Sequence, residues 1–182
     1  ALGQVLNENA HDVLLWHLEK DFVDAINQSH THPFLPGVNL ATTLQFTASL
    51  DQISDYGEIL VSAVPSQVVR TVLDNFPSGW KKPVVSVSKG IENNTGMRMS
   101  QVISESLQLD SEEIIVLSGP SHAEEVGQKY PTTIVAACVD IDHARVVQKL
   151  FSNDYFRVYS GSDIIGVEIG GAAKNIVAIA AG

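Results

Sequence analysis

The chain has 182 residues, 45% of them apolar and 18% charged, which is enough to bury a core as one domain, or one domain plus a piece of another. A net charge of −10 and a pI near 4.8 argue against nucleic acid or an anionic membrane as a non-specific partner. They leave room for an anionic small molecule held by a local cluster of Lys and backbone N–H groups.

In chain order, Leu2, Val5 and Leu6 sit at helical spacing, so Ala1–Asn9 reads as the latter part of a helix that Asn7–Asn9 ends. Asp12–Trp16 is a short apolar run of the kind a buried parallel strand shows, and Glu19–Gln28 follows as a helix. His30 and His32 lie in a Pro/Gly loop with no Cys or carboxylate beside them, so no metal is expected. Strands are then predicted at Leu44–Thr47, Glu58–Val64, Val84–Ser88, Ile114–Ser118, Thr133–Ala137 and Arg157–Tyr159. Helices are predicted at Leu50–Ile53, from Pro65 to Phe76, at Met99–Leu109, within Gly119–Gly127, at Asp142–Phe151, and over a long closing segment from Ile164. The alternation calls for an α/β fold, Rossmann-like and doubly wound, with a mainly parallel sheet. The chain opens without Met and stops at Gly182 in or just after an apolar helix, so both ends read as cuts in a longer protein.

The single cysteine, Cys138, permits no intrachain disulfide and reads as core. No secretion signal is visible, and Glu168, Lys174 and the glycines of the closing helix make stable membrane insertion unexpected. The expectation is a soluble, cytoplasmic protein.

Ligands of such sheets bind at the carboxyl ends of the strands, which are here Trp16–Glu19, Val64–Ser66, Ser88–Gly90 and Ser118–Ser121. The closing helix, GVEIGGAAKNIVAIAAG, places Gly170 and Gly171 one turn before Lys174. Its cation is therefore expected to lie over a turn without side chains, beside a cavity, with Asn175 adjacent. A cavity with one poised cation can polarise a carbonyl or bind an anion. Lys89 at a strand end would add a second cation. In SGPSHA, Gly119 permits close approach of backbone to a ligand, and Pro120 suits the first helical position. The N–H groups of Ser121, His122 and Ala123 would then form an anion site at a helix start. Pro65 at a strand end is placed to meet a cofactor's edge, and His17 or Glu19 an adenosine ribose. The sequence holds no GxGxxG, no GxSxG, no Ser-His-Asp spacing and no Cys/His cluster.

The motifs VSKGIE (Val87–Glu92), LSGPSHAEEV (Leu117–Val126), FRVYSGSDIIGVEIGGAAKNIVAIAAG (Phe156–Gly182) and LPGV (Leu35–Val38) occur in that family order apart from LPGV, which precedes them. Together they resemble the bacterial-type NAD(P)-dependent glycerol-3-phosphate dehydrogenases over essentially the whole chain. The resemblance implies an oxidoreductase of glycerophospholipid metabolism. Its partners are sn-glycerol 3-phosphate and dihydroxyacetone phosphate, its cofactor is NADPH or NADH, and the full-length protein is a cytoplasmic homodimer. It implies a catalytic role for Lys174, substrate contacts for Lys89, Gly119, Ser121 and Lys174, and cofactor contacts for Lys89 and Ala123; the helix and strand-end readings above add Asn175 to the substrate contacts and Pro65 and His17 to those of the cofactor. By the same resemblance, residues 1–162 are a dinucleotide-binding domain lacking its first strand and glycine loop. Residues 163–182 are then the first helix of an all-helical substrate and dimerisation domain. At the position that sets NADPH against NADH the chain has Leu18, between His17 and Glu19, which leaves both cofactors open.

Two rival readings are a related dehydrogenase of hydroxy acids and a non-catalytic nucleotide-binding module. The first would have Asn one turn after the Lys, where this chain has Ala178. The second fits a chain that binds cofactor weakly and is inactive alone, which is what we expect of these 182 residues.

Overall fold

Apolar runs and polar turns resolve into eight helices and seven strands in the computed structural model, which describes residues 1–182. The order is α1 (Leu2–Glu8), β1 (Leu14–Trp16), α2 (Lys20–Ser29), β2 (Gln45–Thr47), α3 (Leu50–Tyr56), β3 (Leu60–Ser62), α4 (Val69–Asp74) and β4 (Val84–Ser86). Then come α5 (Met99–Leu107), β5 (Ile114–Ser118), α6 (Ala123–Gly127), β6 (Thr132–Ala137), α7 (Ile141–Phe151), β7 (Phe156–Gly161) and α8 (Ile164–Ala181). The chain forms two compact units, each built from separated segments. One comprises Ala1–Gly57, Pro120–Ile134 and Lys149–Val158; the other comprises Glu58–Gly119, Val135–Gln148 and Tyr159–Gly182.

In the first unit, β1 and β2 pair in parallel, Leu14 opposite Gln45 and Trp16 opposite Thr47. Helix α2 turns Val23 and Ile26 inward, as its apolar spacing requires. Ile26 joins Leu35, Val38, Leu40 and Leu44 in the core, so LPGV supplies packing residues here. Asn27 clasps the backbone of Phe46, donating to its carbonyl and accepting from its N–H, both at 2.9 Å. Near the start of the chain, Asn9 donates to the carbonyls of Leu150 (2.7 Å) and Ser152 (3.2 Å). The Tyr155 hydroxyl and the Lys129 ammonium both hold Glu8, at 2.9 and 3.1 Å.

In the second unit, β3, β4 and β5 form a parallel sheet, with Leu60 opposite Val84 and Val84 opposite Ile114. β4 and β5 are buried along their whole length, which is why they read as unbroken apolar runs rather than alternations. Val69, Leu73, Met99, Val102 and Ile103 of α4 and α5 are buried. At the other side, Val116, Ala137 and Ile164 pack together with Val167 of α8. The five-stranded order is β3-β4-β5-β6-β7.

The expected mainly parallel sheet holds with one difference: β6 runs antiparallel to β5, with Val116 opposite Ala137 and Ser118 opposite Val135. The link between them carries only the five-residue α6 and turns at Lys129, whose φ is +63°. It therefore returns to the end of the sheet that it left, where a parallel strand would need a full crossover.

A second departure concerns Pro65, which opens no α-helix. It precedes a 3₁₀ turn at Ser66–Val68, and α4 starts only at Val69. α4 is then tied to its neighbours by charge. Arg70 grips Glu92 with two bonds, at 2.9 and 3.0 Å, and reaches Glu105 of α5 at 2.8 Å. Hydrogen bonds from Arg70, then from Thr95, hold the Glu92 carboxyl below its ordinary value of 4.5. A depressed carboxyl stabilises the fold above its unfolded value and loses that contribution as pH falls through the folded one. The urea midpoint of the native chain should exceed that of Glu92→Gln fully above pH 4.5, and the gap should shrink below it. A gap independent of pH would show that the carboxylate charge is not what Arg70 recognises.

Candidate active site

The ends of β3 and β4 are zipped together beyond the sheet itself. Val87 N–H donates to the Ser62 carbonyl at 3.0 Å, and the Ser88 hydroxyl to the Val64 carbonyl at 2.5 Å. The chain then presents Lys89, half-buried, whose ammonium donates to the Gly119 carbonyl at the end of β5 (2.9 Å). Gly90 follows with φ +142°, a conformation that only glycine adopts readily, and a Cβ there would meet the Ser66 hydroxyl oxygen at 2.5 Å.

Lys174 comes to this place from α8. Burial first, and the charge of Lys174 second, push the Lys89 ammonium below the ordinary lysine range. Neither lysine is in an ion pair. Two like charges that act on one another, one of them partly desolvated and neither neutralised by a carboxylate, are stabilised when an anion enters beside them. Asn175, the next residue of α8, is exposed.

The geometry corrects the expected cavity over both glycines. Gly171 is the point where α8 lies against β5: a Cβ there would stand 2.5 Å from the Ser118 hydroxyl and 3.7 Å from Cγ of Lys89. Its missing side chain is filled by Ser118 and the Lys89 stem. Only Gly170 faces open space, with nothing within 4 Å. The two should respond oppositely in melts of this chain. Gly170→Ala should stabilise by about 1 kcal/mol through helix propensity. Gly171→Val should destabilise by about 1–3 kcal/mol through overpacking. Equal responses would mean that α8 does not rest on β5 through Gly171.

Above Gly171 on the same helix sits Glu168, 7% exposed. Its carboxylate accepts from the Ser100 N–H (2.8 Å) and the Ser100 hydroxyl (2.7 Å), and it pairs with Arg98. Ser100 is in the first turn of α5, so a charge on α8 caps the positive end of α5. Glu168, Arg98 and Ser100 were not among the expected site residues, and Ser118 was expected only as part of a strand end. A lone carboxylate in an Ala/Gly-rich helix was the available signal for the first of them, since such a charge is buried only with partners. Its partners lie 68 and 70 residues away and carry no local signature.

The structure thus joins Lys89 to Gly119, with Lys174 near enough for its charge to act on Lys89, and Pro65 lies exposed after β3 in the same unit. Ser121, Ala123 and His17 belong to the other unit. There, Ala123 is exposed and is the first residue of α6, with His122 as its cap. The helix start expected at Pro120 is therefore displaced, because His122 keeps an extended backbone, and the N–H of Ser121 precedes the helix. His17, at the end of β1, stacks on Phe22 at 4.2 Å and accepts the Glu19 N–H at Nδ1 (3.1 Å). An open cleft of about 550 Å³ lies in that unit between α2 and the following loop, lined by Phe22, Ile26, His32 and Leu35; no candidate residue lines it.

Parallel strands between helices, with Lys89 at the carboxyl end of the sheet where ligands of such folds bind, are the architecture of nucleotide-binding α/β proteins. A family described as "NAD-dependent glycerol-3-phosphate dehydrogenase N-terminus" matches residues 1–144. The chain belongs to this family. It is 47% identical over 186 aligned residues to a glycerol-3-phosphate dehydrogenase, NAD(P)+, of Lysinibacillus sphaericus, covering 100% of this chain and 55% of that protein. The crystal structure of glycerol-3-phosphate dehydrogenase from Coxiella burnetii superposes with a TM-score of 0.87 at 28% identity, over 98% of this chain and 55% of that one. A glycerol-3-phosphate dehydrogenase of Plasmodium falciparum gives a TM-score of 0.88 at 26% identity, over 98% and 54%. The chain spans about half the length of the curated relatives that it matches.

Proposed function

We propose that this chain carries the cofactor-facing part of an enzyme that interconverts sn-glycerol 3-phosphate and dihydroxyacetone phosphate with NADPH or NADH. The observation that carries this reading is Lys89, held on the carbonyl of Gly119 with its stem against Gly171 of α8 and within electrostatic reach of Lys174 three residues further on. The donor set suits a phosphate-bearing substrate and the anionic bridge of a dinucleotide. Lys89 spends one N–H on Gly119 and keeps donors for a ligand, and Gly90 leaves the strand end without a side chain.

When bound, the nicotinamide supplies or accepts the hydride. Lys174 hydrogen-bonds the substrate's carbonyl oxygen and delivers a proton to it during reduction, or removes it during oxidation. Lys89 holds substrate and cofactor in register, with its stem braced against the Gly171 face of α8. Within the second unit we assign Gly119 and Asn175 to the substrate and Pro65 to the cofactor. Within the first unit we assign Ser121 to the substrate and Ala123 and His17 to the cofactor, with Leu18, flanked by His17 and Glu19, at the position that separates NADPH from NADH.

We assign residues 1–162 to the dinucleotide-binding domain and 163–182 to the opening helix of a second, helical domain. α8 is apolar and long enough to cross a membrane by composition, yet Glu168 ties it to α5, so we read it as a docking helix of a cytoplasmic homodimer. The product serves phospholipid synthesis, and the 182 residues alone bind cofactor weakly and turn nothing over. The test is oxidation of NADH and of NADPH by the full-length protein with dihydroxyacetone phosphate. Consumption of neither cofactor would overturn the assignment, and turnover by the 182-residue chain alone would overturn the claim of inactivity.

A further inference from the structure

We propose that Glu168 is a positioning residue for Lys174: it sets the rotation and axial register of α8, and so decides whether the two lysines meet. The inference rests on the catalytic reading of Lys174 given above and adds a residue to which that reading assigns nothing.

The argument begins with what else holds α8. Asp163 caps its first turn by accepting the Gly166 N–H at 2.8 Å. Ile164 and Val167 pack on Val116 and Ala137. These apolar contacts are non-directional, and Gly170–Ala173 present no side chain larger than a methyl to resist sliding or turning. A slip of one residue along an α-helix moves each side chain by about 1.5 Å and turns it by about 100°. Such a slip would carry Lys174 away from the face on which Gly171 rests against the Lys89 stem.

Glu168 opposes that slip with direction. Both of its carboxylate oxygens are engaged, by the N–H and hydroxyl of Ser100 and by Arg98, and its side chain is 4% exposed. Ile164 and Glu168 are the buried residues of α8, and Glu168 is the later of them. Gly171 lies one turn further on, seated on Ser118 and the Lys89 stem, and Lys174 follows three residues later. Carboxylate, glycine and lysine thus succeed one another along the helix as anchor, bearing and working group. Arg98 further donates to the Ser100 hydroxyl at 2.9 Å, and its backbone N–H goes to Gln101 at 3.1 Å. The receiving end of α5 is therefore fixed before the carboxylate arrives.

The experiment is a double-mutant cycle in the full-length enzyme, read as kcat for dihydroxyacetone phosphate reduction well below every variant's melting transition. Glu168→Gln keeps the shape, but in either orientation its amide N–H₂ faces a donor, the Ser100 N–H on one side or Arg98 and the Ser100 hydroxyl on the other. It should lower kcat by about 10- to 100-fold, as ångström-scale misplacement of a reacting group does. KM for the cofactor should stay within about twofold, and in a Lys174→Ala background the same change should cost less than about twofold. Ser100→Ala, which keeps the N–H and Arg98 contacts, should give a smaller loss of the same pattern, and it carries the cycle if Glu168→Gln does not fold. Equal losses with and without Lys174, or a lowered melting temperature at unchanged kcat, would overturn the proposal and leave Glu168 a structural cap. Full activity of Lys174→Ala by itself would instead strike the catalytic reading, and the inference would fall with it.

Discussion

Lys174→Ala in the full-length enzyme should lower kcat for dihydroxyacetone phosphate reduction by about 10²–10⁴-fold, the usual contribution of a positioned general acid. Cofactor affinity should change little, because the ammonium is assigned to the reacting oxygen. The same substitution has a second readout that needs no turnover. Lys174 is one of the two causes that lower the Lys89 pKa, so its removal should move that pKa upward, toward the ordinary lysine value. Burial is the larger cause and remains, so the recovery should be partial. Side-chain NMR of the 182-residue chain across alkaline pH would follow it. An unmoved Lys89 titration would mean that the two cations do not share a site, and with it the core of the functional assignment would be lost.

The second large effect is expected at Gly90. An alanine there meets two independent obstacles. Its φ of +142° is one that L-residues rarely adopt, and its Cβ would stand 2.5 Å from Oγ and 2.9 Å from Cβ of Ser66. A hydroxyl can rotate away, but a Cβ moves only with its backbone. Gly90→Ala should therefore destabilise by about 2–5 kcal/mol, strain and overpacking together. Ser66→Gly removes both clashing atoms and leaves the strain. In a denaturation cycle of the two changes, the coupling should be about 1–3 kcal/mol, with a comparable cost remaining in the double variant. Zero coupling would place the whole cost in the backbone and show that the loop end of β4 does not press on Ser66. Displacement of the adjacent Lys89 should accompany the loss in either case.

Most of the architecture was legible because β4 and β5 are buried along their whole length and α2, α5 and α7 are amphipathic. Ile114–Ser118 and Val84–Ser86 could hardly be read otherwise. The antiparallel turn of β6 was not legible, since a strand's direction is set by the path of its connection and not by its own residues. Lys89 and Lys174 stood out by position, one at a strand end and one in an apolar helix. Gly170 and Gly171 looked equivalent in sequence, yet one is a bearing surface and the other faces open space, a distinction that depends on Ser118 and Lys89 far away in the chain. The role of Glu168 likewise depends on its distant partners Arg98 and Ser100.

The clasp between the first residues and the region after α7 has a consequence for the order of folding. Asn9 bonds carbonyls 141 and 143 residues further along, and Glu8 receives the hydroxyl of Tyr155, 147 residues away. The unit that holds α1 therefore cannot complete its contacts during synthesis until the polypeptide beyond Tyr155 has emerged. Throughout that interval α1 waits with its later partners missing, while β3, β4 and β5, close in sequence, already have one another. α1, made before β3, β4 and β5, thus closes after them, and long-range closure of this kind sets a slow step in folding.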